Sequence, residues 1–147
     1  MKCIEAVNLW NAIDILRRSS QSFPIKFTYA LNRNAKFLEP EIQAFHETMR
    51  SIDAEDDDVL RSFEAGRQEL AGKLNAGEMT NDAFNQAFWE LTEQQPEGFS
   101  RYRMKCRRIS DLYIQEINIL VHQVALETFP EELPGNIMSA LIPIVSS

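Results

Sequence analysis

Five cations crowd the stretch from Gly98 to Arg108. They are Arg101, Arg103, Lys105, Arg107 and Arg108, with Phe99 and Tyr102 interleaved and no carboxylate among them. Guanidinium forks and an ammonium group beside aromatic rings can hold a phosphate, a nucleotide or an acidic protein surface. On a helix, Arg101, Lys105 and Arg108 share one face, while Arg103 and Arg107 share another. Arg101, Tyr102, Arg103, Lys105, Arg107 and Arg108 are therefore the candidate anion- or partner-binding residues. The competing reading is that these cations neutralise the acidic stretch 53–97 of the same chain.

Other residue types that could carry chemistry form no constellation. The run Asp53-Ala54-Glu55-Asp56-Asp57-Asp58 is acidic enough to suggest calcium, but Ala54 interrupts it and no glycine follows until Gly66. An EF-hand loop needs alternating ligands and a mid-loop glycine, so a solvated loop and helix cap is the better reading. His46 and His122 stand alone, with no Cys, Asp or Glu at metal-ligand spacing. No serine sits in a Gly-x-Ser-x-Gly context, and neither a Walker loop nor a dinucleotide-binding glycine pattern occurs. Neither a cofactor nor a metal is expected, and enzymatic activity is not. Glu39, Glu41 and Glu47 read as solvated carboxylates on a helix. Trp89 with Phe84 and Phe88 forms an aromatic group wider than one buried stripe, which serves either a core or a partner surface.

Charge is unevenly spread along the 147 residues. Residues 1–52 carry +2, residues 53–97 carry −9, residues 98–108 carry +5 and residues 109–147 carry −5, for a net −7. That balance disfavours indiscriminate nucleic-acid binding. A hydrophobic content of 44% with 10% aromatics is that of an ordinary globular domain rather than a disordered chain. Cys3 and Cys106 are too few and too far apart for a disulfide scaffold, and two reduced thiols are expected. Charges interrupt the N-terminal apolar residues at Lys2, Glu5, Asp14, Arg17 and Arg18, so neither a signal peptide nor a membrane span is expected.

The elements that must position these residues read as helices. Ala6, Leu9, Trp10, Ile13 and Leu16 recur at helical spacing, predicting a first helix over 5–18. Phe27, Leu31, Leu38, Ile42, Phe45, Met49 and Ile52 then form one long stripe from Phe23 to Ile52, with Asn34 the polar residue on the seam. Pro24 suits its first turn, and Pro40 predicts a kink because the stripe continues past it in phase. Leu60, Phe63, Arg67, Leu70 and Leu74 predict a third helix ending near Gly77. Thr80 caps a fourth, and a fifth runs from Phe99 to Tyr113 after the turn at Pro96. Near 115–124 the alternation of Ile117, Ile119 and Val121 suggests a short β segment, with a continued helix as the competitor. Residues 134–143 close with a short apolar helix. The expected architecture is mainly α: one domain, 1–147, built as a compact bundle of about five helices with a kinked long second helix.

Two blocks also carry a resemblance. The residues from Phe23 to Asn34, followed by Leu38-Glu39-Pro40-Glu41-Ile42, resemble a P-x-K-x-x-Y-x-L-x-(K/R)-N opening. That opening marks small uncharacterised proteins common in tailed-phage and prophage genomes. The alternating segment Ile114–Phe129, the acidic turn Phe129-Pro130-Glu131-Glu132-Leu133 and the apolar stretch Ile137–Val145 resemble the C-terminal part of the same family. Residues 53–98 depart from it: two helix-periodic segments stand where that family has a short acidic insert. The resemblance supplies no catalytic or binding residue. It implies a viral or prophage accessory protein in the bacterial cytoplasm.

The expected function is therefore binding of a host or phage protein, with self-association as one form of it. The alternative is sequestration of a nucleotide by the 101–108 island, as an inhibitor of host defence signalling. A nucleic-acid-associated regulator is the third reading, and the net charge disfavours it.

Overall fold

The first helix, α1 (Cys3–Arg18), buries Cys3, Ala6, Leu9, Ala12, Ile13 and Leu16 on one face. Its start is capped from within, because the Lys2 amide donates to Glu5 Oε2 at 2.7 Å. A computed structural model describes residues 1–55 and 57–146, and among them the chain is mainly α: six α-helices and no strand. After α1 come α2 (Ile25–Ala54), α3 (Asp58–Asn75), α4 (Asn81–Gln94), α5 (Pro96–Ile114) and the short α6 (Gly135–Leu141), with 3-10 turns at Leu126–Thr128 and Ile142–Ile144. No helix among the described residues is long and apolar enough to cross a membrane.

The chain divides into two contact units, 1–48 with 112–147 and 49–111. The first unit is organised by the stripe of α2. Phe27, Leu31, Leu38 and Ile42 join Leu9, Ile13 and Leu16 of α1 and Ile137, Leu141 and Ile144 near the C-terminus in a single buried cluster. Phe129 closes it, its ring 4.9 Å from that of Phe27. α2 runs without interruption through Pro40, whose missing N–H leaves the Lys36 carbonyl without its helical donor.

Residues 115–124 are neither the β segment nor the continued helix that the sequence suggested. Ile117, Ile119, Val121 and Val124 pack against the core while Asn118, Leu120 and Gln123 face out, so the alternation is real. Among the described residues no second strand lies alongside, and the backbone is instead tied at points. A bridge joins Lys2 to Glu116 and another joins Val124 to Val145. Between them, fully buried Asn34 does the work of a missing strand. Its Oδ1 accepts from the His122 amide at 2.7 Å, and its Nδ2 donates to the His122 carbonyl at 2.8 Å and to that of Ala30 at 2.9 Å. The polar residue on the apolar seam is thus fully used, as burial requires.

The second unit is built around Phe63, which is fully buried on α3. Phe88 of α4 and Phe99 and Tyr102 of α5 surround it at ring separations of 6.1, 5.7 and 5.3 Å. Phe84 stacks on Phe88, so these two belong to the core, whereas Trp89 is 62% exposed. α3 ends in a Schellman motif: Glu78 donates to the Lys73 carbonyl, Gly77 to that of Leu74, and Gly77 takes a positive φ of 73°. Thr80 caps α4 through its hydroxyl, which accepts from the Ala83 amide at 3.1 Å. Gly98 lets α5 approach α3 closely: a Cβ there would lie 2.8 Å from Phe63 Cβ and 3.1 Å from the Val59 carbonyl oxygen.

Candidate functional site

The Gly98 approach sets α5 against α3 and brings one face of the basic island onto carboxylates of the same unit. Arg101 holds Asp57 with one guanidinium nitrogen and Glu97 with the other, the latter at 2.6 Å. Lys105 Nζ lies 3.3 Å from Glu64 and 3.5 Å from Asp53, and its side chain is only 15% exposed. Arg108 engages both oxygens of Glu55, Nη2 to Oε1 at 3.0 Å. The acidic run that looked superficially like a calcium loop is thereby consumed. Asp53 and Glu55 pair with α5, Asp57 also caps α3 by accepting from the Leu60 amide at 2.8 Å, and Asp58 pairs with Arg61 at 3.0 Å. Asp56 lies outside the described residues. Among those described, no group of His, Cys, Asp or Glu could hold a metal ion.

The electrostatics follow from these contacts. Asp57 is held below the usual carboxylate range by the Leu60 amide first and by Arg101 second. Arg101 is pushed up by Glu97 and Asp57. Burial pulls the Lys105 ammonium down, but Glu64 and Asp53 more than offset it and the net direction is up. Tyr102 sits under the Arg67 guanidinium, 5.1 Å from its ring, and burial followed by a hydrogen bond with Cys106 raises its hydroxyl. Cys3, buried in the first unit, is raised by burial and by the charge of Glu41. Both cysteines are free thiols, Cys3 buried and Cys106 exposed.

The other face of the island is open. Arg103 lies over Phe99 at 5.7 Å, and Arg107 makes no ion pair among the described residues. They border a shallow depression of about 550 Å³ lined by α5 side chains, among them Ser100, Met104 and Cys106. The six residues singled out in the sequence are therefore not one site. Arg101, Lys105 and Arg108 are committed internally, Tyr102 is packed on Phe63, and Arg103 and Arg107 face solvent.

A second cationic surface escaped the sequence reading. It is the back of the long stripe helix. Ile25, Tyr29, Arg33 and Phe37 follow one another at four-residue spacing, opposite the buried seam, and are exposed; Ile25 is 88% exposed and Tyr29 53%. Arg33 Nη1 donates to Tyr29 Oη at 2.8 Å, and its Cζ lies 6.0 Å from the Tyr29 ring centre and 5.5 Å from that of Phe37. The Asn34 clamp brings His122 edge-on to Tyr29 at 5.6 Å. Lys26 and Lys36 share this side of the helix, and none of Lys26, Arg33 and Lys36 forms an ion pair among the described residues. Tyr29, Asn32, Arg33, Lys36 and Phe37 border an open depression of about 380 Å³. The signal was present in the sequence as three apolar side chains on the polar face of an amphipathic helix. Residues 25–38 also hold three cations and no carboxylate.

Among the described residues the chain is mainly helical, with one face of α5 neutralised internally and the cations on the other face of α5 and on α2 without ion pairs. No protein-family model, curated protein or solved structure matches the chain.

Proposed function

We propose that this chain is a non-enzymatic accessory protein of phage or prophage origin that acts in the bacterial cytoplasm by binding a host or phage protein. The observation that carries the reading is the exposed face of α2. Apolar and aromatic side chains there are wetted and three cations form no ion pair among the described residues, while the opposite face of the same helix is fully used. Exposed aromatic and arginine side chains grouped in this way are the usual anchors of a protein interface. Self-association is one form such binding takes.

The nucleotide-sequestering alternative fares less well on geometry. An anion entering the 101–108 island must displace Asp57, Glu97, Glu64, Asp53 or Glu55 from cations that already hold them. Arg103 and Arg107 remain, both exposed at the edge of the open depression on α5.

The test is affinity capture of the tagged full chain from the bacterial host, with and without phage infection, coupled to sedimentation of the purified protein. The expected result is a stoichiometric protein partner or a defined oligomer. A chain that captures nothing and stays monomeric overturns the reading. A thermal shift with nucleotides, about 2.7 kcal/mol at a hundredfold excess over the dissociation constant, would favour the alternative.

A further inference from the structure

We propose that the α2 face takes an acidic amphipathic helix of a partner protein, an inference that rests on the protein-binding reading above and names the chemistry of the partner. The first ground is charge. Lys26 lies in the first turn of α2, where no acidic residue is present, although the positive end of a helix favours carboxylates and disfavours cations. With Arg33 and Lys36 it forms a positive strip on a chain whose net charge is −7. At physiological salt the screening length is about 8 Å, so the remote negative charges are damped and carboxylates within reach of the strip are attracted.

The second ground is preorganisation. The Arg33 guanidinium lies 6.0 Å from the Tyr29 ring centre and 5.5 Å from that of Phe37 and spends one N–H on the Tyr29 hydroxyl. Its remaining donors are held in place for a carboxylate, which lowers the entropy lost on binding. The third ground is shape. Ile25, Tyr29, Arg33 and Phe37 form an i, i+4 ridge, the feature that interdigitates with the grooves of a second helix.

Single-stranded nucleic acid fits less well, because three cations on a chain of net charge −7 neutralise few phosphates. A second copy docking by the same face fits less well too, since a two-fold axis would set these cations against their own equivalents.

The probe is a fluorescein-labelled, end-blocked peptide helix with Leu at i and i+4 flanked by Glu, titrated into the full chain by anisotropy. Its Glu-to-Lys counterpart and labelled oligo(dT) run in parallel. The acidic peptide should bind, the basic one should not, and R33E/K36E should weaken binding about tenfold or more, as interface anchors do. R103E/R107E, on α5, should leave it unchanged, and R33K should fall between wild type and R33E/K36E, since it keeps the charge but not the guanidinium fork. Circular dichroism of each variant confirms that the helices persist.

Equal binding of the acidic and basic peptides, equal binding by wild type and R33E/K36E, or preference for oligo(dT) overturns the proposal. So does a dimer that R33E/K36E disperses. If a partner captured from cells is held equally by wild type and R33E/K36E, the protein-binding reading stands and this surface is the part that fails.

Discussion

Arg101, Lys105 and Arg108 on α5 and Lys26, Arg33 and Lys36 on α2 are two triplets of cations on amphipathic helices, yet they meet opposite fates. The α5 triplet is engaged by five carboxylates of its own unit. The α2 triplet has none among the described residues and sits instead among exposed rings. The difference teaches that cation density along a sequence is a poor guide to a binding face. Three of the five cations of the denser island are spent on folding, and the sparser strip is left available. What decides is whether the chain supplies a carboxylate at the right place in space, and the 53–64 stretch does so for α5.

The comparison can be broken or sharpened by substitution. The largest effect is expected at Asn34→Ala, which strips the His122 amide and carbonyl of their partners inside the first unit. A loss of about 3 kcal/mol in urea unfolding follows from leaving such buried groups unpaired. It should also release His122 from Tyr29 and so disturb the α2 face, which no change on α5 does. Next comes Gly98→Ala. The added Cβ collides with Phe63 and the Val59 carbonyl, and overpacking of this kind costs about 2 kcal/mol. It should shift α5 and loosen together the four ion pairs that α5 makes with Asp53, Glu55, Asp57 and Glu64.

Such outcomes bear on what could be read before the structure. α1, the α2 stripe, the Gly77 stop, the Thr80 cap and the helix opening at Asp58 were legible because each depends on residues within a turn or two of one another. Residues 115–124 were not, because alternation reports burial on one side and says nothing of whether a neighbouring strand exists. Asn34 looked like a flaw in the seam, and its partner lies 88 positions away. The pairing of Lys105 with Glu64 spans 41 positions and depends on how closely Gly98 lets two helices approach. The α2 face was visible in principle as Ile25, Tyr29 and Phe37 off the buried stripe, but three apolar residues do not by themselves distinguish a wetted face from a wider buried one.

A smaller effect is expected at Lys105→Ala, which leaves the mostly buried Glu64 without its cation. A loss of about 1 to 2 kcal/mol is expected. Acid should act on the same unit. The folded Asp57 binds its proton less readily than the unfolded one, so its contribution is present above the ordinary carboxylate range near pH ~4 and disappears as pH falls through its lowered folded value. Trp89, the tryptophan of the second unit, should report this loss by fluorescence. Lys36→Ala should be the mildest change, within about 0.5 kcal/mol, because it removes an exposed cation that forms no ion pair among the described residues.

The most direct measurement compares K26Q/R33Q/K36Q with R101Q/K105Q/R108Q in urea unfolding at low and high salt. The α2 triple should leave both stability and its salt dependence as in the wild type, while the α5 triple should lower stability and abolish that salt dependence. Equal losses in the two variants, or a loss confined to the α2 triple, would contradict the division between cations spent on folding and cations left for a partner.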